Sequence, residues 1–177
     1  MDKHPQPYQQ QQYPHGQEYP VHTQQPTATP GMHVGGGGGN RNVKNMPYDS
    51  NGKRDWSNGT FSCFGDCMTC CVATWCPCIT YGQNKTRFEH LEQQGYPHPS
   101  GGESCGSDCL LHCLLTSCLG AGWVLQIGSR EKIRDRYKIE GGLMGDCCLS
   151  FCCNPCTLTQ ESRELEQEEM SMLPPKH

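Results

Sequence analysis

Fifteen cysteines constrain this 177-residue chain more than any other feature, and all of them lie between Cys63 and Cys156. They form three clusters: six over residues 63–78, four over 105–118 and five over 147–156. A density of about one cysteine in six residues is typical of disulfide scaffolds and of metal sites. Only 34% of the chain is hydrophobic, so we do not expect a large apolar core.

The start of the chain helps to decide between disulfide bonds and metal-binding thiols. Its first 20 residues contain no apolar run of the kind found in a secretory signal peptide. We therefore expect the cysteines to face a reducing compartment, in which disulfides are uncommon. Metal-binding or reactive thiols are favoured, but disulfides stay open as an alternative because an internal membrane span could export a loop.

Composition divides the chain into a tail and a domain. Residues 1–55 are rich in Gln, Pro and Gly and include an unbroken run of five glycines. Such a segment buries too little apolar surface to offset its ordering entropy, so we predict a disordered tail. A cysteine-rich domain is predicted over 56–169, followed by a short C-terminal tail over 170–177.

Polar stretches that favour helices separate the cysteine clusters. The first places Phe88 three residues before Leu91 and is predicted to end at Gly95. The second places Ile133 four residues before Tyr137 and is predicted to end at the glycine pair that follows.

A last helix is predicted to begin near Cys156, and it carries five glutamates. No strand alternation of convincing length accompanies these helices. The sequence thus predicts a small, mainly α, Cys-rich domain with one or two short hydrophobic segments.

Two uncharged segments are candidates for contact with a membrane. Residues 109–128 lack charge over 20 positions, and a helix of that length reaches about 30 Å. Residues 67–82 would reach only about 24 Å, and Pro77 breaks them. Lys and Arg concentrate in 41–55 and 129–138, which would place both termini in the cytosol if both segments cross. Two alternatives stay open: a basic stretch resting on anionic lipid, and a buried helix of a soluble domain.

The densest group of cysteines runs from Cys70 to Cys78 and has the pattern CCxxxxCPC. Thiolates are soft ligands, so Cd²⁺, Zn²⁺ and Cu(I) are the natural candidate ions. Pro77 fixes one backbone angle between Cys76 and Cys78, which lowers the entropy lost when both sulfurs bind one ion. Together with Cys70 and Cys71, these two residues form a set of four candidate metal ligands.

The third cysteine cluster supplies further candidate ligands, Cys152, Cys153 and Cys156. If the helix continues as far as Pro155, residues Cys148, Cys152 and Cys156 form a stripe along one face. The spacing is not that of a zinc ribbon, so spacing alone does not assign the ligands.

Other interpretations apply to several of the cysteines. Cys109, Cys113 and Cys118 are most simply small buried hydrophobes. Cysteines next to a membrane segment are also palmitoylation candidates, and these are Cys63, Cys67, Cys152 and Cys153.

Catalysis has little support in this sequence. It contains no Gly-rich phosphate loop and no serine-nucleophile elbow, and no CxxC stands at a helix start in a thioredoxin-like context. We expect a protein that is not an enzyme and requires no cofactor. The net charge of −4 also argues against a nucleic-acid partner.

Four segments together resemble the placenta-specific-eight family, which includes plant cadmium resistance proteins and fruit-weight or cell-number regulators. They are WSNG (56–59), the CCxxxxCPC signature (70–78), IRDRYKIEG (133–141) and DCCLSFCCNPCTLTQESREL (146–165). The resemblance covers about residues 56–166, and the composition of the tail is typical of a fungal rather than a plant member.

The resemblance implies a protein of heavy-metal resistance or homeostasis that acts by thiolate binding or membrane export of cadmium or zinc. It also implies membrane association, at the plasma membrane, with the nucleus or cytoplasm as alternatives. Export would require a homo-oligomer, since one or two helices cannot enclose a path. The alternative function is a non-catalytic interaction protein that recruits a protein partner in cell-number control or stress signalling. The expected metal ligands are Cys70, Cys71, Cys76, Cys78, Cys152, Cys153 and Cys156.

Overall fold

The computed structural model describes residues 38–173, and within this range the chain is helical with no extended strand. A 3₁₀ helix, Thr60–Asp66, precedes six α-helices. These are α1 (Cys67–Trp75), α2 (Pro77–Gln94), α3 (Ser107–Leu119), α4 (Gly122–Tyr137), α5 (Leu143–Cys152) and α6 (Asn154–Met172). The predicted mainly α, cysteine-rich fold is confirmed.

Short apolar helices alternate with long polar ones. Helices α1, α3 and α5 have 9, 13 and 10 residues, whereas α2, α4 and α6 have 18, 16 and 19. Cys76 separates the first pair and Cys153 the third, with nearly the same backbone angles (φ −135°, ψ 66° and φ −141°, ψ 63°). A proline in the first turn of the next helix follows each break, where its missing N–H costs nothing.

Two apolar clusters lie along the three long helices. The first contains Ala73, Tyr81 and Leu158, with Leu125 against it. The second contains Phe88, Leu91, Ile133, Tyr137, Ile139 and Leu165. Each long helix gives an early residue to the first cluster and a later residue to the second. The three helices therefore run parallel, with their N-termini and the breaks at one end.

The inward face of α6 carries acidic as well as apolar side chains. Glu161, Glu164 and Glu168 are spaced like the residues of one helix face, and each is at most 2% exposed. An arginine meets each carboxylate: Arg130 at 3.3 Å, Arg54 at 2.6 Å and Arg136 at 2.7 Å, respectively. Each buried carboxylate on α6 is therefore compensated by a guanidinium group, without which its burial would be strongly unfavourable.

The basic stretch 129–138 is only partly exposed, so it does not form a continuous basic surface that could contact lipid. Arg130 and Arg134 are buried, and both donate to the carboxylate of Asp146, at 2.9 and 2.7 Å. Arg130 also lies over the Trp56 ring, 4.2 Å from its centroid. These arginines face inward because buried carboxylates need compensating charge.

The predicted tail over 1–55 falls into two parts. Residues 1–37 lie outside the described residues, as do 174–177 of the C-terminal tail. Residues 38–55, however, pack on the helices, with Arg54 only 1% exposed. Because Arg54 pairs with Glu164, the ordered domain begins before residue 56.

The ends of the predicted helices have mixed outcomes. Gly95 ends α2 in the left-handed region, at φ 74°, as predicted. Helix α4 ends earlier than predicted, because Lys138 takes the left-handed conformation before the glycine pair is reached. Helix α6 begins at Asn154, close to the predicted start, and continues to Met172.

The uncharged segment 109–128 is not one helix. Gly120, at φ 62°, ends α3, and Gly122 begins α4. Over residues 38–173 no single helix has the length and apolar character to cross a membrane. One bent pair, Thr60–Trp75 with Pro77–Gln94, meets the length and composition criteria jointly, with a bend of 115°.

Candidate thiol sites

Thirteen of the fifteen cysteines, all within the described range, are free thiols, and Cys153 is bonded to Cys156. The seven predicted ligands divide by exposure and bonding. Cys71, Cys76 and Cys152 are exposed, Cys70 and Cys78 are half-buried, and Cys153 and Cys156 form the disulfide. The predicted preference for free thiols over disulfides therefore holds for most of these residues.

The CCxxxxCPC motif does not close on one point. The thiol of Cys70 interacts with that of Cys63 in the 3₁₀ helix. The thiol of Cys78 interacts instead with those of Cys109 and Cys113 on α3. The break at Cys76 turns α2 away from α1, so the two halves of the motif serve two different thiol groups.

The first of these, the α3 thiol group, consists of Cys78, Cys109 and Cys113. Burial, followed by the two neighbouring thiols, raises the pKa of Cys78 to about 12. Burial also raises the pKa of Cys109. Cys78 and Cys109 are therefore protonated at neutral pH, so a metal ion that binds them must displace those protons.

Close packing of α2 on α3 positions this group. A Cβ on Gly82 would lie 3.0 Å from the Cβ of Cys109, so only glycine allows this approach without a shift. One turn further along α3, His112 is fully buried and its ring stacks on Tyr81 at 4.8 Å. Burial lowers the pKa of His112.

The buried-hydrophobe interpretation of the central cysteines fits only Cys109, which is 5% exposed. Cys113 and Cys118 are exposed. The helix break at Gly120 explains this, because α3 alone is too short to be enclosed on all sides.

The second group, the α6 thiol group, consists of Cys63, Cys70, Cys153 and Cys156. The sulfurs of Cys63 and Cys156 are 3.7 Å apart, and both side chains are buried. Burial, then the hydrogen bond with Cys63, raises the pKa of Cys70. Sequence analysis did not place Cys63 among the ligands, because 93 residues separate it from Cys156.

The predicted stripe of Cys148, Cys152 and Cys156 does not form. Helix α5 ends at Cys152, and Cys153 leaves the helical conformation (φ −141°, ψ 63°) before α6 begins. Pro155 sits in the first turn of α6 and cannot supply the N–H that a continuous helix would need there. The three sulfurs therefore belong to two different helices.

As it stands, no set of three or more His, Cys, Asp or Glu side chains within 38–173 is arranged to hold a metal ion. Both groups nevertheless consist of sulfurs, which are soft ligands, and each draws its cysteines from more than one helix.

Comparison with known proteins identifies the family. The model of the PLAC8 family matches residues 56–164. Plant cadmium resistance 2 of Arabidopsis thaliana is 36% identical over 118 residues, which are 67% of this chain and 71% of that protein. Cell number regulator 9 of Zea mays is 35% identical over 111 residues, which are 63% of this chain and 58% of that protein. No solved structure matches the chain. The match to the family model and the cadmium resistance relative together show that this chain belongs to the PLAC8 family.

Proposed function

We propose that this chain is a non-enzymatic heavy-metal tolerance protein that binds Cd²⁺, and Zn²⁺ as a second ion, through cysteine thiolates. The α3 thiol group is the observation that carries the proposal. Its three sulfurs come from two helices, and the thiol of Cys78 on α2 interacts with those of Cys109 and Cys113 on α3. Sulfur ligands prearranged in this way lose less entropy on closing around an ion than ligands on a free loop.

The relatives support cadmium as the ion. Two Arabidopsis thaliana proteins that match this chain carry cadmium resistance in their names. Cadmium is the softest common divalent ion that the thiol groups would meet, and soft ions prefer thiolates. The bound ion is cargo for the protein rather than a resident cofactor.

A plasma-membrane location is the second part of this proposal. Most of the exposed large hydrophobic residues belong to the 3₁₀ helix and to α1, α3 and α5. They are Phe61, Phe64, Met68, Trp75, Leu110, Leu111, Leu114, Leu119, Leu143, Met144 and Phe151. Short apolar helices rich in Trp, Phe and Leu suit the interface of a bilayer, with their apolar sides inserted among the lipids.

The experiment compares cadmium tolerance of a sensitive host that expresses the full chain or its variants. Protection should be lost with Cys78→Ser combined with Cys113→Ser, because serine copies the shape of cysteine but not the softness of its sulfur. Cys118→Ser is the matched control, since Cys118 is exposed on the same helix and lies outside both thiol groups. Protein abundance is measured in parallel.

Binding is tested directly by titrating the purified, reduced chain with Cd²⁺ and following the thiolate-to-metal charge-transfer band in the near ultraviolet. We expect the band in the wild type and in Cys118→Ser. Undiminished protection by a double variant whose band is weaker than that of the wild type would contradict the proposal and favour the alternative, recruitment of a protein partner in stress signalling.

A further inference from the structure

We propose that the α6 thiol group is a second, redox-gated site for one soft divalent ion, closed by the Cys153–Cys156 disulfide and opened by its reduction. This inference rests on the proposed function, since it concerns the same cargo. It adds Cys63 as a ligand, lies on different elements from the α3 thiol group, and gives the disulfide a role.

The distance between two of the sulfurs is that of a shared metal ion. The Sγ atoms of Cys63 and Cys156 lie 3.7 Å apart. Two sulfurs that each lie about 2.3 Å from one tetrahedral ion are about 3.8 Å apart. Because both side chains are buried, this spacing is held by the surrounding packing rather than by chance contact at the surface.

The remaining two sulfurs complete a set of four. The thiol of Cys70 interacts with that of Cys63, and Cys153 is bonded to Cys156. The four residues come from the 3₁₀ helix, α1 and the start of α6. Four thiolates around one ion are the usual ligand set of a closed, tetrahedral site.

The start of α6 favours thiolates at this place. Cys153 is the N-cap residue of α6 and Cys156 lies in its first turn. The positive end of the helix dipole stabilises negative charge on these sulfurs. Arg163, one to two turns along the same helix, donates to the carbonyl of Ser62 at 2.8 Å and so brings a positive charge next to Cys63.

The disulfide keeps the α6 thiol group closed in this structure. It withholds two of the four sulfurs, which leaves only the thiols of Cys63 and Cys70. Two molecules of a glutathione-type thiol would reduce the bond, giving up two electrons and two protons to it and leaving as one disulfide. The reduced group would then lose its protons as the ion binds.

The test uses the purified full chain in its disulfide form and after reduction and removal of the reductant. Thiol titration should count thirteen free thiols before reduction and fifteen after it. Native mass spectrometry then counts bound Cd²⁺ in each form. We expect the reduced chain to bind one ion more than the disulfide form, with a matching rise in the charge-transfer band.

Two variants assign that additional ion. Cys63→Ser and Cys70→Ser should each remove it and leave the ion at the α3 thiol group in place. Cys118→Ser should retain both ions. Circular dichroism of each variant shows whether the helical fold is kept, and Cys70, which is half-buried, is the substitution that disturbs packing less.

Several results would overturn the proposal. Equal numbers of ions in the two forms, or retention of the second ion by Cys63→Ser, would show that this group is not the site. A disulfide between Cys63 and Cys156 in the metal-loaded chain would likewise exclude the site, because it would remove two of the four proposed ligands. In each case an ion retained at the α3 thiol group leaves the proposed function intact, whereas absence of any bound ion contradicts both.

Discussion

Arg54 donates to Glu164 at 2.6 Å, and both side chains are almost fully buried although 110 residues separate them along the chain. Ser57 adds a hydroxyl and a backbone N–H to the same carboxylate, at 2.7 and 3.1 Å. The segment before the cysteine-rich region is thereby fixed to α6. This contact lies beside the 3₁₀ helix that carries Cys63, so it also helps to position the α6 thiol group.

Removing one partner of this pair should destabilise the domain strongly. We expect Arg54→Met to lower the free energy of unfolding by about 3–5 kcal/mol, because it leaves a buried carboxylate without its countercharge. Urea unfolding followed by tryptophan fluorescence measures the effect. Glu166→Gln, at an exposed position on the same helix, is the control and should change stability by about 0.5 kcal/mol or less. If Arg54→Met lowers the free energy of unfolding no more than the control does, Arg54 is not needed as the countercharge of Glu164.

Glu161 should make stability depend on pH. Burial raises its pKa to about 7, against the opposing effect of Arg130, from an ordinary value of 4.5. The folded state therefore binds the proton more tightly than the unfolded state does. Its contribution to stability is fully present below pH 4.5 and is lost as the pH rises through 7.

Comparison with Glu161→Gln isolates this contribution. The amide keeps an acceptor for Arg130 but does not titrate. From pH 5 to pH 8 the variant should gain stability relative to the wild type, by up to about 3 kcal/mol at 1.36 kcal/mol per pKa unit. Denaturant unfolding at several pH values measures the difference. A difference that does not change with pH, or that changes in the opposite sense, would exclude the raised pKa.

Local sequence signals anticipated several elements of this fold but few of its long-range contacts. Gly95 ends α2 as predicted because left-handed backbone at a helix end favours glycine. The acidic inner face of α6 could not be predicted, because glutamates at helical spacing usually face water. Only the distant arginines, among them Arg54, make that burial favourable.

The candidate thiol groups also depend on long-range contacts that local sequence signals do not reveal. Sequence spacing grouped Cys70 and Cys78 in one motif, but it did not indicate which other sulfurs each of them meets. The bend at Cys76 separates them, and their partners Cys63 and Cys109 come from other helices. Tertiary packing, which spacing does not encode, decides which sulfurs meet.

Gly122 is predicted to tolerate no side chain. A Cβ there would clash with the Thr116 hydroxyl and would lie 2.9 Å from the buried His112 ring. We expect Gly122→Ala to cost about 1–3 kcal/mol through overpacking. Gly128→Ala, on the same helix with no atom within 4 Å of the new Cβ, should instead stabilise by about 0.5–1 kcal/mol. Thermal unfolding of the two variants should give shifts of opposite sign, and equal shifts would contradict the packing of α3 on α4.

The exposed apolar side chains predict binding to lipid. Trp75 and Phe64 are 84% and 77% exposed, on α1 and the 3₁₀ helix. Because each would insert apolar surface among the lipids, Trp75→Ser combined with Phe64→Ser should weaken binding to phosphatidylcholine vesicles at least tenfold. Tyr96→Ser, which removes an exposed aromatic residue from the loop after α2, is the control and should bind as the wild type does. Cosedimentation with vesicles and the blue shift of tryptophan fluorescence provide two readouts, the second using Phe64→Ser alone so that Trp75 is kept. If the wild type does not sediment with vesicles, or the double variant binds equally well, these helices do not contact lipid and their apolar surface is available to a protein partner instead.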